Sequence, residues 1–235
     1  MTMLRATISA EWIKLWSTRT VWWALTAALV LMAAGAGQYA LYARNGDIDE
    51  SSAGEIAALG LSFAQLAFIA LASMVMTGEY SAGTIRATLT WTPLRPRLLL
   101  AKSVVVAAVT LVAGTIVGFV GTLVAASILD DSSMGAAAPK MGLYLALLGV
   151  FAVGLGAALR GPVVTLVVLL MLVVVVPPLL QVPDLAVLNT IADALPGVAG
   201  ERFLNENSYA GLLIVTAWAA AAFLIGARLL DRRDA

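Results

Sequence analysis

The side chains capable of chemistry are few, and most of them gather in one stretch. Residues 78–102 read Gly-Glu-Tyr-Ser-Ala-Gly-Thr-Ile-Arg-Ala-Thr-Leu-Thr-Trp-Thr-Pro-Leu-Arg-Pro-Arg-Leu-Leu-Leu-Ala-Lys. Glu79 is the one acid of this stretch, while Arg95, Arg97 and Lys102 form a basic cluster and Arg86 is expected to be exposed. Such a cluster at a membrane edge suits contact with anionic lipid, and by composition alone its positive charges serve to hold topology. Catalysis is poorly served elsewhere. The chain has no His and no Cys, so the usual metal ligand, the neutral-pH general base and the thiolate nucleophile are all missing. A Ser-His protease and an H-E-x-x-H site are excluded for the same reason. There is no G-x-x-x-x-G-K-[ST] and not even a Gly-Lys pair, so no P-loop can cradle ATP. No catalytic residue, metal site or cofactor site is predicted, and nothing in the charge pattern predicts a nucleic-acid partner.

The elements around this stretch are set by hydrophobicity. Of 235 residues, 61% are hydrophobic and 12% charged, about half the charge of a typical soluble domain. Six stretches, 21–42, 56–77, 103–129, 141–159, 163–182 and 207–227, contain no Asp, Glu, Lys or Arg. Each is near the ~20 residues a helix needs to cross the hydrocarbon core. The expected fold is an all-α polytopic membrane protein with six transmembrane helices, the last reaching to about residue 228. Residues 1–235 are expected to form one membrane domain, since the remainder leaves no room for a separate soluble one. The charged arm before the first span is longer than a secretory signal would have, and an uncleaved first span is expected.

Charge sign orients the spans. If residues 1–20, 78–102, 160–162 and 228–235 lie on one side, they hold eleven of the fourteen basic residues, while ten of the fourteen acids fall on the other. An excess of Lys and Arg marks the cytoplasmic face, so both termini are expected in the cytoplasm. The Arg-heavy, Ala-rich composition hints at a bacterium and hence its plasma membrane. The spans lack Asp and Glu, which ion-coupled carriers usually need there, and the path is expected to be apolar with no fixed ionic site.

Outside the spans, Leu4, Ile8, Trp12 and Leu15 recur at helical spacing, with Arg5, Glu11 and Lys14 off that line. Residues 1–20 thus predict an amphipathic interface helix, with Trp12 and Trp16 at head-group level. It either anchors the chain or also touches a cytoplasmic partner. Gly78 and Gly83 break the chain after the second span. Thr84 can cap a short helix with Ile85 and Leu89 on its apolar side, stopped by Pro93 and Pro96. Arg160-Gly161-Pro162 predicts a tight turn, with Gly161 left-handed after one helix and Pro162 opening the next, so that spans four and five pair closely. Gly114 and Gly118 form a G-x-x-x-G pair that permits close packing. Residues 183–206 predict an outer segment with a short helix carrying Leu185, Leu188, Ile191 and Leu195. Within the spans, Gln65 either lines a path or bonds a neighbouring helix. Pro177-Pro178 either ends the fifth span or kinks it near a gate.

A body without an energy source is a channel or carrier, an assembly subunit, or a transporter driven by another protein. Here a family pattern enters. The string Glu-Tyr-Ser-Ala-Gly-Thr-Ile-Arg-Ala-Thr-Leu at 79–89, followed by Pro-Leu-Arg-Pro-Arg and Leu-Leu-Ala-Lys, resembles ABC-2 type ABC transporter permeases. The N-terminal Ser-Ala-Glu-Trp-Ile-Lys-Leu-Trp-Ser-Thr-Arg at 9–19 is similar to theirs as well. The resemblance implies a permease exporting a hydrophobic or amphipathic compound. It implies that residues 78–102 form a coupling segment against a separate ABC ATP-binding subunit, which would bind ATP and Mg. Glu79, Gly83, Thr84, Ile85, Arg86 and Leu89 would sit in that segment, and the working unit would pair this chain with a like or unlike second permease. The helix between spans five and six would lie near the exit. The alternatives are a passive channel or carrier, which would need a polar or charged filter, and a non-transporting membrane subunit.

Overall fold

The computed structural model describes residues 2–48, 52–85, 95–131, 137–206 and 208–232. Among these residues every regular element is helical. They are α1 (Thr2–Ser17), α2 (Arg19–Asn45), α3 (Ala53–Ser81), α4 (Arg95–Leu129), α5 (Ala137–Leu159), α6 (Pro162–Gln181), α7 (Ala186–Asp193), α8 (Pro196–Asn205) and α9 (Tyr209–Arg232). Six of them, α2 to α6 and α9, are long and apolar enough to span a membrane, as expected.

The helix ends follow local chemistry that runs past the apolar stretches. Ser52 and Glu55 form a reciprocal capping box, so α3 starts three residues before its apolar run. Asp131, at the end of α4, accepts from the Ala53 N–H at 3.0 Å and ties the two helices at that end. At its other end α3 stops in a Schellman arrangement. Gly83 takes φ +68°, its N–H reaches Tyr80 O, and the Thr84 N–H reaches Glu79 O. Gly83 alone breaks the chain there; Gly78, also expected to do so, stays inside the helix. Pro96 was expected among the helix stoppers, but it lies in the first turn of α4, where its missing N–H has no intrahelical partner to lose.

The α5–α6 turn corrects a second expectation. The left-handed residue is Arg160 at φ +61°, while Gly161 is extended and acts as the N-cap before Pro162. Arg160 is held by its guanidinium, which stacks over the Tyr80 ring at 5.4 Å. Nor does the short turn make α5 and α6 close partners. α5 packs chiefly on α4 and α9, and α6 leans more on α3. A tight turn fixes where two helices meet and leaves free which faces pack below it.

α5 is the most enclosed span and α6 the least. The main core joins Met32, Phe68, Met76, Leu99, Met141, Leu145, Phe151 and Val215, among others, from α2 to α6 and α9. Small residues let backbones approach. Gly114 and Gly118 of α4 face Gly142, Leu145, Ala138 and Met141 of α5, so the G-x-x-x-G pair serves packing inside the chain. A Cβ on Gly154 would lie 2.6 Å from backbone atoms of Ala222 and Phe223 in α9. The outward faces carry exposed apolar side chains, including Val30, Val164, Leu213 and Leu224, which lipid accepts. Both described ends of the chain sit at the same end of the bundle. There Arg95, at the start of α4, donates to Leu230 O of α9 at 2.8 Å.

Gly154→Leu is expected to lower stability by at least about 2 kcal/mol, because the obstacle is backbone and cannot give way. Gly78→Ala has nothing within 4 Å of the new methyl and should be neutral or stabilising by up to about 1 kcal/mol. Unfolding titrations in mixed micelles check both.

Candidate functional site

At the α1 end, three helices that are distant in sequence share one cluster of charges. α1 lies across the start of α4 and the end of α3, its Leu15 packing with Val21, Leu71, Val105 and Val109. Glu11 is buried, against the expectation that it faces away from the apolar line. Trp12, expected on that line, is exposed at 44%, while Trp16 packs between Trp12 and Trp22. The larger correction is Lys102. It was expected in a surface cluster with Arg95 and Arg97, yet it is 1% exposed, in the second turn of a helix that starts earlier than the apolar run.

The Lys102 ammonium donates to Glu11 Oε2 at 2.6 Å, Glu79 Oε1 at 2.5 Å and Val75 O at 3.3 Å. Lys14 of α1 donates to the same Glu79 Oε1 from the solvent side. Two cations and two carboxylates thus neutralise one another, and the three ammonium protons of Lys102 each have an acceptor. Glu79 Oε2 is buried with no hydrogen-bond partner among the described residues. A cavity of about 550 Å³ adjoins the cluster, between α1, the start of α2 and the end of α3, lined by Leu71, Met74, Val75 and Thr84 among others.

Glu79, Glu11 and Lys14 are therefore brought together with Lys102, which the sequence reading missed as a partner. The one available signal was spacing: Glu79 ends one helix and Lys102 starts the next, at the same end. Gly83 and Thr84 shape the turn after Glu79, and Ile85 is buried in the main core. Arg86 and Leu89, and the short helix expected around them, lie outside the described residues.

At the opposite end, Gln65, Pro177 and Pro178 line a single cavity of about 270 Å³. Gln65 does both things considered for it, since its Oε1 accepts from Tyr144 of α5 at 2.9 Å while it lines the space. The proline pair neither ends α6 nor stands alone. The helix widens into a π turn over Met171–Val175 and continues to Gln181. Expected as one helix, the outer segment forms two, joined by an Asp193–Arg202 ion pair at 2.7 Å. α7 leaves Leu185 and Ile191 exposed, whereas α8 buries Val198, Ala199 and Phe203. α8 brings Glu201 to the cavity, contrary to the expectation of an uncharged path.

Lys102→Met should cost about 3–5 kcal/mol, because Glu11 then loses its ion-pair partner in the interior and buried Glu79 is left with Lys14 alone. Adding Glu11→Gln and Glu79→Gln should recover most of that loss. Denaturant midpoints of the three proteins in detergent test the cluster as a unit.

The comparisons agree with this architecture. Residues 7–182, about three quarters of the chain, match the family described as ABC-2 family transporter protein. The match takes in both sides of the ion cluster and stops before α7. No curated protein matches the chain. Six spanning helices and a family match of this extent make it a multi-pass membrane protein that belongs to the ABC-2 transporter family as a membrane component.

Proposed function

We propose that this chain is the permease subunit of an ATP-driven transporter that exports a hydrophobic or amphipathic compound from a bacterial cell. ATP hydrolysis, with its Mg, takes place in a separate ABC ATP-binding subunit that docks on the cytoplasmic α1 end. A second permease, of the same or a different sequence, completes the pathway. One observation carries this reading. A buried ion cluster locks α1 to the ends of α3 and α4, beside the segment expected to meet the ATPase. A push on α1 or on the turn at Gly83 and Thr84 is then delivered to two spanning helices at once.

Physically, the permease is a two-state body. The partner must bind one state better than the other, and only that differential moves the equilibrium. Closing the ATPase dimer on ATP provides it by displacing α1 and the turn after Gly83. Buried charges make the linkage stiff, since separating Lys102 from either carboxylate leaves an uncompensated charge in a low-dielectric interior. Glu79 and Gln65 lie on the same helix, fourteen residues or about 21 Å apart, so a tilt of α3 moves both ends of the permease together.

The absence of Cys makes single-cysteine mapping direct. Ser9→Cys and Ser81→Cys, both exposed, should react with an impermeant maleimide only after cells are opened, whereas Asp47→Cys should react from outside. Photocrosslinkers at positions 9 and 81 should capture an ATP-binding subunit. Outside labelling of position 81 overturns the orientation. Ion conduction by the reconstituted chain alone replaces the reading with a passive channel.

A further inference from the structure

We propose that the cavity between α2, α3, α5, α6 and α8 is a binding site for a protonated organic amine, with Glu201 as its counter-ion and Asn205, Gln65 and Tyr144 as its orienting groups. This rests on the permease reading and names the chemical class of the cargo.

The site is built from opposite requirements. Its walls are apolar, with Leu61, Val173, Val174 and Pro177 among the lining residues. Among the described residues Glu201 is the only charged one in the lining, with Ser62, Gln65, Tyr144, Gln181 and Asn205 among its uncharged polar neighbours. No Lys or Arg enters, and Glu201 forms no ion pair among the described residues. Its neighbour Arg202 is committed to Asp193 instead. A pocket with one negative charge and no internal cation is complementary to a monocation. Asn205 Oδ1, also in the lining, is buried and lacks a donor among the described residues. A ligand ammonium would supply both the charge and the missing N–H.

The backbone contributes to the same deficit of donors. The Val173 carbonyl would accept from residue 177 in an α-helix and from residue 178 in a π-helix, and both are proline. The Val176 N–H is already bonded to Met171 O. Val173 O therefore has no donor in its own helix and is turned toward Gly197, where a Cβ would come within 2.0 Å. That approach is what brings α8, and with it Glu201, over the gap in α6.

Size separates an organic amine from a metal ion. About 270 Å³ lies just under the roughly 300–1,000 Å³ of small-molecule pockets and is far larger than a bare ion. It fits a small arylalkylamine or the head and first carbons of a larger amphiphile. Glu201 keeps an open face at the mouth, yet the surrounding helices desolvate its carboxyl and raise its pKa above the ordinary carboxylate value. The other titratable groups facing it are Tyr144 of α5 and Tyr39 of α2. Glu201 and Asn205 both lie beyond the residues matched by the family.

The test is titration calorimetry on the full chain in lipid nanodiscs, with phenethylammonium as probe and phenethyl alcohol as its uncharged counterpart. Saturable binding of the amine is expected, about tenfold or more tighter than the alcohol. Glu201→Gln should weaken the amine about tenfold and leave the alcohol unchanged, and Asn205→Leu should weaken the amine several-fold. Lowering the pH should weaken the amine for the parent chain only, because protonating Glu201 removes the charge. Equal binding of amine and alcohol, unchanged affinity in Glu201→Gln, displacement by potassium at equal concentration, or no saturable binding would each overturn the proposal. None of these results depends on the ATPase, so they separate an error about cargo from an error about coupling.

Discussion

A lysine ammonium with almost no access to water is the constraint around which the α1 end is organised. Hydration is withdrawn from Lys102 by its place in α4, and an isolated ammonium there would cost several kcal/mol. The chain answers with one carboxylate from α1 and one from α3. Three helices must therefore meet at a point. α1 has few buried apolar side chains of its own, Leu15 being the clearest, so charge fixes its position as much as burial does. That explains why a helix outside the spanning set is held against the bundle rather than floating on a lipid surface.

At the other end of the bundle the physics is different. There the backbone is the polar group to be managed. Two successive prolines remove donors from α6, a π turn absorbs the mismatch, and α8 covers the opening through Gly197. Gly200 lets α8 rest on the Tyr144 ring, and Trp218 of α9 donates to Ala194 O at 2.8 Å, bracing the α7–α8 turn. The result is a supported cavity rather than a loose loop. Irregular backbone persists here because α8 covers its inner side, where Val173 and Pro177 are buried.

α3 runs through both sites. It carries Gln65 near the cavity and Glu79 in the ion cluster, and its buried face contributes heavily to the core. A rod with polar contacts at each end and dense packing between can transmit a tilt without bending. This is a statement about geometry; coupling energy would have to be measured along it.

The sequence by itself determined the membrane class, the number of spans and the absence of a P-loop motif. These are legible because hydrophobicity, capping and turn residues act locally and add along the chain. It also brought forward Glu79, Gln65, Pro177 and Pro178. The tertiary structure alone decided that Lys102 is buried, that Glu11 points inward, that Arg160 rather than Gly161 is left-handed, and that Glu201 reaches a cavity within the bundle. Each of these depends on a partner far away in sequence: Glu11 is ninety-one residues from Lys102, and Arg160 rests on Tyr80. A charge next to an apolar run looks the same whether it faces lipid head groups or an opposite charge, and only the packing of helices brings that opposite charge within reach.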